Sequence, residues 1–278
     1  MAGPAAIFLL VFFVLPAAQT LWLGVGARTE AGVMQYGLTF ENYRRAFATD
    51  LYWRVLLRTV RMATGAALVA ALVGYPLAWA VARGRPWVSR TVTLVLVTPL
   101  LVNVVVRSYG WSAILSRSGL IAWAAQGLGI SEDPPALLYT EWAVLIASVH
   151  VFLPFMVLPL AGAIARIPDS AEQAATIAGA GPARRFLRIT LPLSLPGLAV
   201  GLPLVFSLTA AAYVTPQILG GNFAPLLGTL IEQQVLTLHD WPFGAALSSL
   251  LVAMVLAVNL IFIGVVGRRL KRWTAGAA

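Results

Sequence analysis

Acid–base and metal chemistry in this chain falls to ten carboxylates and two histidines, because its 278 residues include no cysteine. The histidines, His150 and His239, stand far apart and fit neither an HExxH nor a paired-ligand spacing, so a zinc hydrolase centre is not indicated. Lys271 is the only lysine; Arg272 follows it and no glycine loop precedes it, so the phosphate cradle of a GxxxxGK[ST] motif is missing. The carboxylates are Glu30, Glu41, Asp50, Glu132, Asp133, Glu141, Asp169, Glu172, Glu232 and Asp240, each at or beyond the end of an apolar run. Ion-coupled carriers and proton pumps keep a carboxylate within the bilayer to bind the coupling ion or relay protons. With none there, uphill movement of a solute has to draw its energy from a partner. The chain is read as non-catalytic, with no cofactor or metal of its own.

The elements that must position these residues are apolar helices. Hydrophobic residues make up 60% of the chain and charged residues 10%, far from the composition of a soluble domain. A bilayer core of about 30 Å takes about 20 apolar residues as helix. Runs of that kind span residues 4–27, 62–82, 91–115, 142–165, 191–219 and 243–267, the third continuing through Arg107 as a tilted or irregular helix. The expected fold is an all-α integral membrane protein, one domain over 1–278 with six transmembrane helices. The first run has the small-residue stretch of a signal peptide, but no positive charge precedes it and it exceeds the usual apolar length, so a retained helix is expected. Prolines 16, 76, 99, 154, 159, 196, 203 and 216 fall within the spans, where each frees a carbonyl that a neighbour or a cavity must satisfy.

Net charge is +9, yet the basic residues lie between apolar runs and form no aromatic-interleaved patch, so nucleic acid is not an expected partner. With both termini cytoplasmic, the inner segments hold Arg83, Arg85 and Arg90, then Arg166, Arg184, Arg185 and Arg188, then Arg268, Arg269, Lys271 and Arg272. Arg28, Arg44, Arg45, Arg54, Arg58 and Arg61 crowd the first outer loop, so the bias is modest. Arg54, Arg58 and Arg61 recur at i, i+4 and i+7, which suits either an amphipathic helix at the membrane surface or a helix end whose long side chains reach the headgroups.

The inner segment 168–192 is the most informative polar stretch. Asp169 with Glu172, or Ser170 with Gln173, forms a capping box and starts a helix. Gly179 and Gly181 end it in the left-handed region, and Pro182 opens a second short helix. The result is a cytoplasmic helix–turn–helix. Ala171, Ala174, Ala175 and Ala178 leave the first helix nearly smooth, fit either for close seating in another protein or for an ordinary solvated loop.

This loop resembles the EAA motif of ABC importer permeases, which reads E-A-A, three residues, G, nine residues, then I-x-L-P. Gln173-Ala174-Ala175, Gly179, Ile189, Leu191 and Pro192 keep that spacing, with Gln173 where the family has glutamate and Glu172 directly before it. Most of the chain is similar to the spermidine/putrescine-type permease family, first-subunit kind. The stretches that carry the similarity are Val106–Trp111, Leu153–Leu160, Tyr213–Gly221 and Trp241–Ala246. The resemblance implies one permease subunit of a binding-protein-dependent importer in the bacterial inner membrane. Its partners would be a second permease subunit, two cytoplasmic ATPase subunits carrying ATP and Mg, an extracytoplasmic solute-binding protein and membrane lipid. It also implies that Glu172, Gln173, Ala174, Ala175, Gly179, Ala180, Gly181 and Phe186 couple to the ATPase, and that the solute is a polyamine or a related compound.

Position and polarity nominate Tyr109, Trp111, His150 and Tyr213 for the solute path. Aromatic faces hold cations without a carboxylate, though an aromatic residue in a span is also ordinary packing. His150 is either a core histidine bonded across helices or a residue of that path. The rival reading, a stand-alone secondary transporter or channel, calls for an intramembrane carboxylate or an internal repeat, and the sequence has neither.

Overall fold

A computed structural model describes residues 7, 8, 10–28, 34–130 and 136–275, so residues 4–6 of the first expected span and Glu30, Glu132 and Asp133 lie outside the described residues. The helices in chain order are α1 (Leu15–Gly24), α2 (Glu41–Ala48), α3 (Asp50–Arg83), α4 (Pro86–Leu101), α5 (Val104–Leu115), α6 (Leu120–Gly127) and α7 (Glu141–Ala165). They continue with α8 (Asp169–Ile177), α9 (Pro182–Leu193), α10 (Leu195–Ala211), α11 (Val214–Gly220), α12 (Leu227–Glu232) and α13 (Trp241–Ala275). A π-helical turn over Leu10–Val14 leads into α1. The segment between α1 and α2 also holds a feature the all-helical expectation missed: strands β1 (Gly26–Arg28) and β2 (Met34–Leu38) pair antiparallel.

The core is built by α3, α7 and α10, which pack along one another. On α3, Ala63, Ala66, Ala67, Ala70, Gly74 and Ala78 are buried at helical spacing. A stripe of small residues lets backbones approach closely, which is how helices associate where lipid gives no hydrophobic drive. The closeness can be measured: a Cβ added to Gly197 on α10 would stand 2.8 Å from Leu160 Cα and from Pro159 O of α7. Met156, Leu160, Ile164, Val205 and Phe206 fill the space between, all fully enclosed. The fourth expected span, 142–165, matches α7 within one residue.

Two other expectations change, and one that was left open is resolved. The second span and the arginine-bearing segment before it form one 34-residue helix, α3, so of the two readings of the arginines the helix end is the one seen. At about 1.5 Å per residue it runs for about 51 Å, so its first turns extend past a bilayer core of about 30 Å. The arginine triplet thus lies in the first turns of a long helix. Arg58 and Arg61 turn to Glu141 at the start of α7, at 3.1 and 2.6 Å.

The third span, expected as one tilted or irregular helix over 91–115, breaks at Val102–Asn103, where the chain bends by 106° between Pro86–Leu101 and Val104–Gly127. Asn103 caps the new start by accepting from Val105 N–H at 2.8 Å, and Arg107 donates to the carbonyls of Pro99 and, at 3.3 Å, Val102. Those are the acceptors that the end of α4 leaves without helical partners. The fifth span, expected over 191–219, bends by 70° between α9 and α10 and breaks again at Ala212–Tyr213. Among the described residues, three helices are long and apolar enough to cross a membrane, five if each bent pair is one span, and Leu10–Gly24 is a shorter apolar helix.

Candidate functional site: the 168–192 loop and the broken spans

The loop expected at 168–192 folds as two helical arms. α8 begins at Asp169, but the capping box does not form: Pro168 occupies the cap position and no side chain caps the helix. The Asp169 carboxylate is drawn instead to Arg83 at the end of α3. The far end follows the expected chemistry at Gly179 but not at Gly181, which at φ −65° is extended and serves as the residue before the next helix. Gly179 has φ +76°, its N–H donates to Thr176 O at 3.0 Å, and Ala180 N–H reaches back to Ala175 O at 2.9 Å. This paired return of N–H groups satisfies the last carbonyls of α8 and needs the left-handed residue between them. Pro182 then occupies the first turn of α9, and Arg185 Nη1 donates to Thr176 Oγ1 at 2.8 Å, tying one arm to the other.

No residue of α8 is buried; Gln173 and Ala174 are exposed, and Ile177 is 89% exposed. One carboxylate oxygen of Glu172 is enclosed without a partner, while Gln173 faces outward. Phe186 turns inward, its ring edge-on to Tyr75 of α3 at 5.2 Å, and the Tyr75 hydroxyl shares a 2.7 Å hydrogen bond with Ser194. The loop thus presents a bare helical arm while both its ends are fixed to α3.

Of the nominated path residues, the structure brings Trp111 and His150 together. Trp111 Nε1 donates to His150 Nδ1 at 3.3 Å across α5 and α7, the rings standing 5.3 Å apart at 71°. His150 also lines a largely apolar cavity of about 250 Å³ with Leu77, Val92, Pro99 and Leu153. It is therefore bonded across helices and open to a cavity at once. Tyr213 lines a separate cavity of about 380 Å³, together with Arg107, Ser148, Phe152 and Thr215. Tyr109 is 63% exposed and, two residues from Trp111, on another face of α5.

Several polar residues here escaped the sequence reading. Ser108 and Thr215, both buried, meet hydroxyl to hydroxyl at 3.2 Å and join the two broken spans, while the Ser148 hydroxyl is buried without a partner. A proline within four residues of a polar side chain, as in Pro99 to Asn103 and Tyr213 to Pro216, was the available signal for the breaks. Arg83 and Tyr75 carried no local signal, since their partners lie 86 and 119 residues away.

The comparisons with known proteins fit this geometry. Residues 63–273 match the family described as binding-protein-dependent transport system inner membrane component. The chain is 32% identical over 254 residues to the spermidine/putrescine transport system permease protein PotB of Escherichia coli (strain K12), covering 91% of this chain and 92% of that protein. It is 34% identical over 255 residues to PotB of Haemophilus influenzae, with 91% and 88% covered. A chain of the bacterial alginate ABC transporter, crystallised in complex with alginate pentasaccharide-bound periplasmic protein, superposes with a TM-score of 0.77 over 96% of this chain and 93% of that one. At 18% identity this likeness is one of fold. A multi-pass helical body matched to that family over most of its length belongs to the binding-protein-dependent inner membrane components and is a permease subunit of an ABC importer.

Proposed function

We propose that this chain forms half of the translocation path of a polyamine importer, with six membrane passages and both termini in the cytoplasm. Two of the passages are the bent pairs α4–α5 and α9–α10, and Leu10–Gly24 opens the series as the first. In this reading the assembly has a second permease subunit, an extracytoplasmic solute-binding protein and two ATPases. The ATPases carry ATP and Mg, and this chain binds neither.

The observation that carries the reading is α8: a helix with no buried residue and an exposed Gln173–Ala174 face, in a loop whose two ends are held on α3. An exposed helix on a fixed base is suited to seat in a partner's groove and to pass on displacement. Gln173, Ala174, Ala175 and Ile177 meet the ATPase. Gly179, Ala180 and Gly181 shape the turn, and Glu172 and Phe186 hold the arm from behind. Coupling of this kind requires the ATPases to contact the loop differently in their two states.

The solute class follows from PotB, whose name in both relatives is that of a spermidine/putrescine permease. Trp111, His150 and Tyr213 border the path beside the two breaks, Tyr109 extends it outward, and aromatic faces receive the solute's ammonium groups. Arg107 keeps its positive charge beside this path, its guanidinium directed to the carbonyls of Pro99 and Val102.

Two measurements test this. The chain has no native cysteine, so Ala174→Cys gives a single reactive site, expected to crosslink to the ATPase in inner-membrane vesicles. Liposomes holding the full importer and its binding protein are expected to accumulate labelled spermidine or putrescine only with internal ATP. Absence of the crosslink rejects the loop assignment, and ATP-driven uptake of other solutes but no polyamine rejects the substrate.

A further inference from the structure

Arg83, the last residue of α3, reaches across to the joint between α7 and α8. Its Nη1 donates to the Asp169 carboxylate, and its Nη2 donates to the carbonyl of Ile167 and, at 3.4 Å, to that of Ile164. The Ile164 carbonyl lies in the last turn of α7, where the helix dipole gathers negative charge, and the Ile167 carbonyl lies in the linker just beyond it. One guanidinium therefore closes α7, grips the first residue of α8 and is itself the end of α3.

The joint it spans is short. Only Arg166, Ile167 and Pro168 separate α7 from α8, and Ile167 is buried at 3% exposure. Pro168, at φ −68°, has its φ held by the ring. At the other end of the loop, α3 supplies Tyr75, whose ring and hydroxyl meet Phe186 and Ser194. Both ends of the loop are thus held by a single helix.

We propose that Arg83 is a positioning residue that makes the inner ends of α3 and α7 move with the loop, so that displacement of α8 is delivered to the spans rather than absorbed at residues 166–168. This rests on the reading that α8 meets the ATPase. The planar fork is what the task requires: one group serves a carboxylate and two carbonyls in fixed directions, which the single point charge of a lysine cannot do.

The test uses the assembled importer in liposomes with its binding protein, reading ATP hydrolysis and labelled polyamine uptake separately in Arg83→Gln, Arg83→Lys and Asp169→Asn. Each variant is also made with Ala174→Cys to report the ATPase contact. Arg83→Gln is expected to keep the crosslink and hydrolyse ATP but move at least tenfold less solute per ATP. Arg83→Lys and Asp169→Asn, which each leave some of the contacts, are expected to fall between that variant and the wild type. A wild-type ratio of uptake to hydrolysis in Arg83→Gln, with the crosslink intact, overturns the proposal. Should that variant fail to assemble, Asp169→Asn decides, because it leaves the end of α7 capped: an unchanged ratio there also overturns it. Failure of Ala174→Cys alone to crosslink removes the loop reading itself, and this proposal with it, independently of any Arg83 result.

Discussion

Gly179 offers the sharpest test of how the inner loop works, because its role can be separated into backbone and volume. Its φ of +76° lies in the left-handed region, yet no atom stands within 4 Å of where a Cβ would be. A substitution there meets no steric obstacle within this chain, and its cost is conformational. Holding an ordinary L-residue in that region costs about 1–2 kcal/mol, and a β-branched one more. A penalty of 1–2 kcal/mol shifts the balance between this turn and an unwound one by a factor of about 5–30. Asparagine, which visits the region with its own local hydrogen bonds, loses least. Uptake per ATP in the reconstituted importer is therefore expected to fall in the order glycine, asparagine, alanine, valine, with valine at least tenfold below wild type. If asparagine is as damaging as valine, bulk against a partner is the cause and the backbone argument fails. If valine transports normally, the turn has no part in coupling.

Other substitutions probe the body of the fold. Gly197→Ala places a methyl group against the α7 backbone at 2.8 Å, whereas Gly201→Ala meets the Met156 sulfur at 2.6 Å, the pliable end of a side chain. The first is expected to lower the thermal midpoint in detergent markedly, by an overpacking cost of about 1–3 kcal/mol, and the second less; equal losses would deny the close backbone approach. Glu141→Gln removes the partner of both Arg58 and Arg61. Because the carboxylate is 36% exposed, the expected loss is at most about 1 kcal/mol per pair, shrinking as salt is added, and a large salt-insensitive loss would contradict it. Ser108→Ala cuts the hydroxyl tie between the broken spans. Its stability cost is expected near 0.6 kcal/mol, typical of interhelical hydrogen bonds in membranes, with uptake reduced more than stability; loss of stability alone would make the tie merely structural.

How much of this was legible in the sequence depends on how local each signal was. The span over 142–165 and the turn at Gly179 and Pro182 were readable because uninterrupted apolar length, a left-handed glycine and a first-turn proline act within a few residues. Apolar length is blind to direction, however, so the runs 91–115 and 191–219 concealed sharp bends beside Asn103 and at Ser194 and a further break at Tyr213. The capping box failed for a related reason. Asp169 had a competing partner in Arg83, and a guanidinium 86 residues away outweighed a cap three residues away. At the site, Trp111 and His150 were nominated and do meet, whereas Ser108, Ser148 and Thr215 were missed because single hydroxyls in apolar runs look alike until their neighbours are placed.

The ion pairs at the two ends of α3 also carry a mechanical consequence. Arg58 and Arg61 join its first turns to the start of α7, and Arg83 joins its last residue to the end of α7 and the start of α8. Two closely packed rods pinned at top and bottom resist sliding more than they resist tilting together. A change of shape that opens a passage is then expected chiefly at the jointed members beside them, where α4 meets α5 and α10 meets α11, as a hinged gate swings on its post.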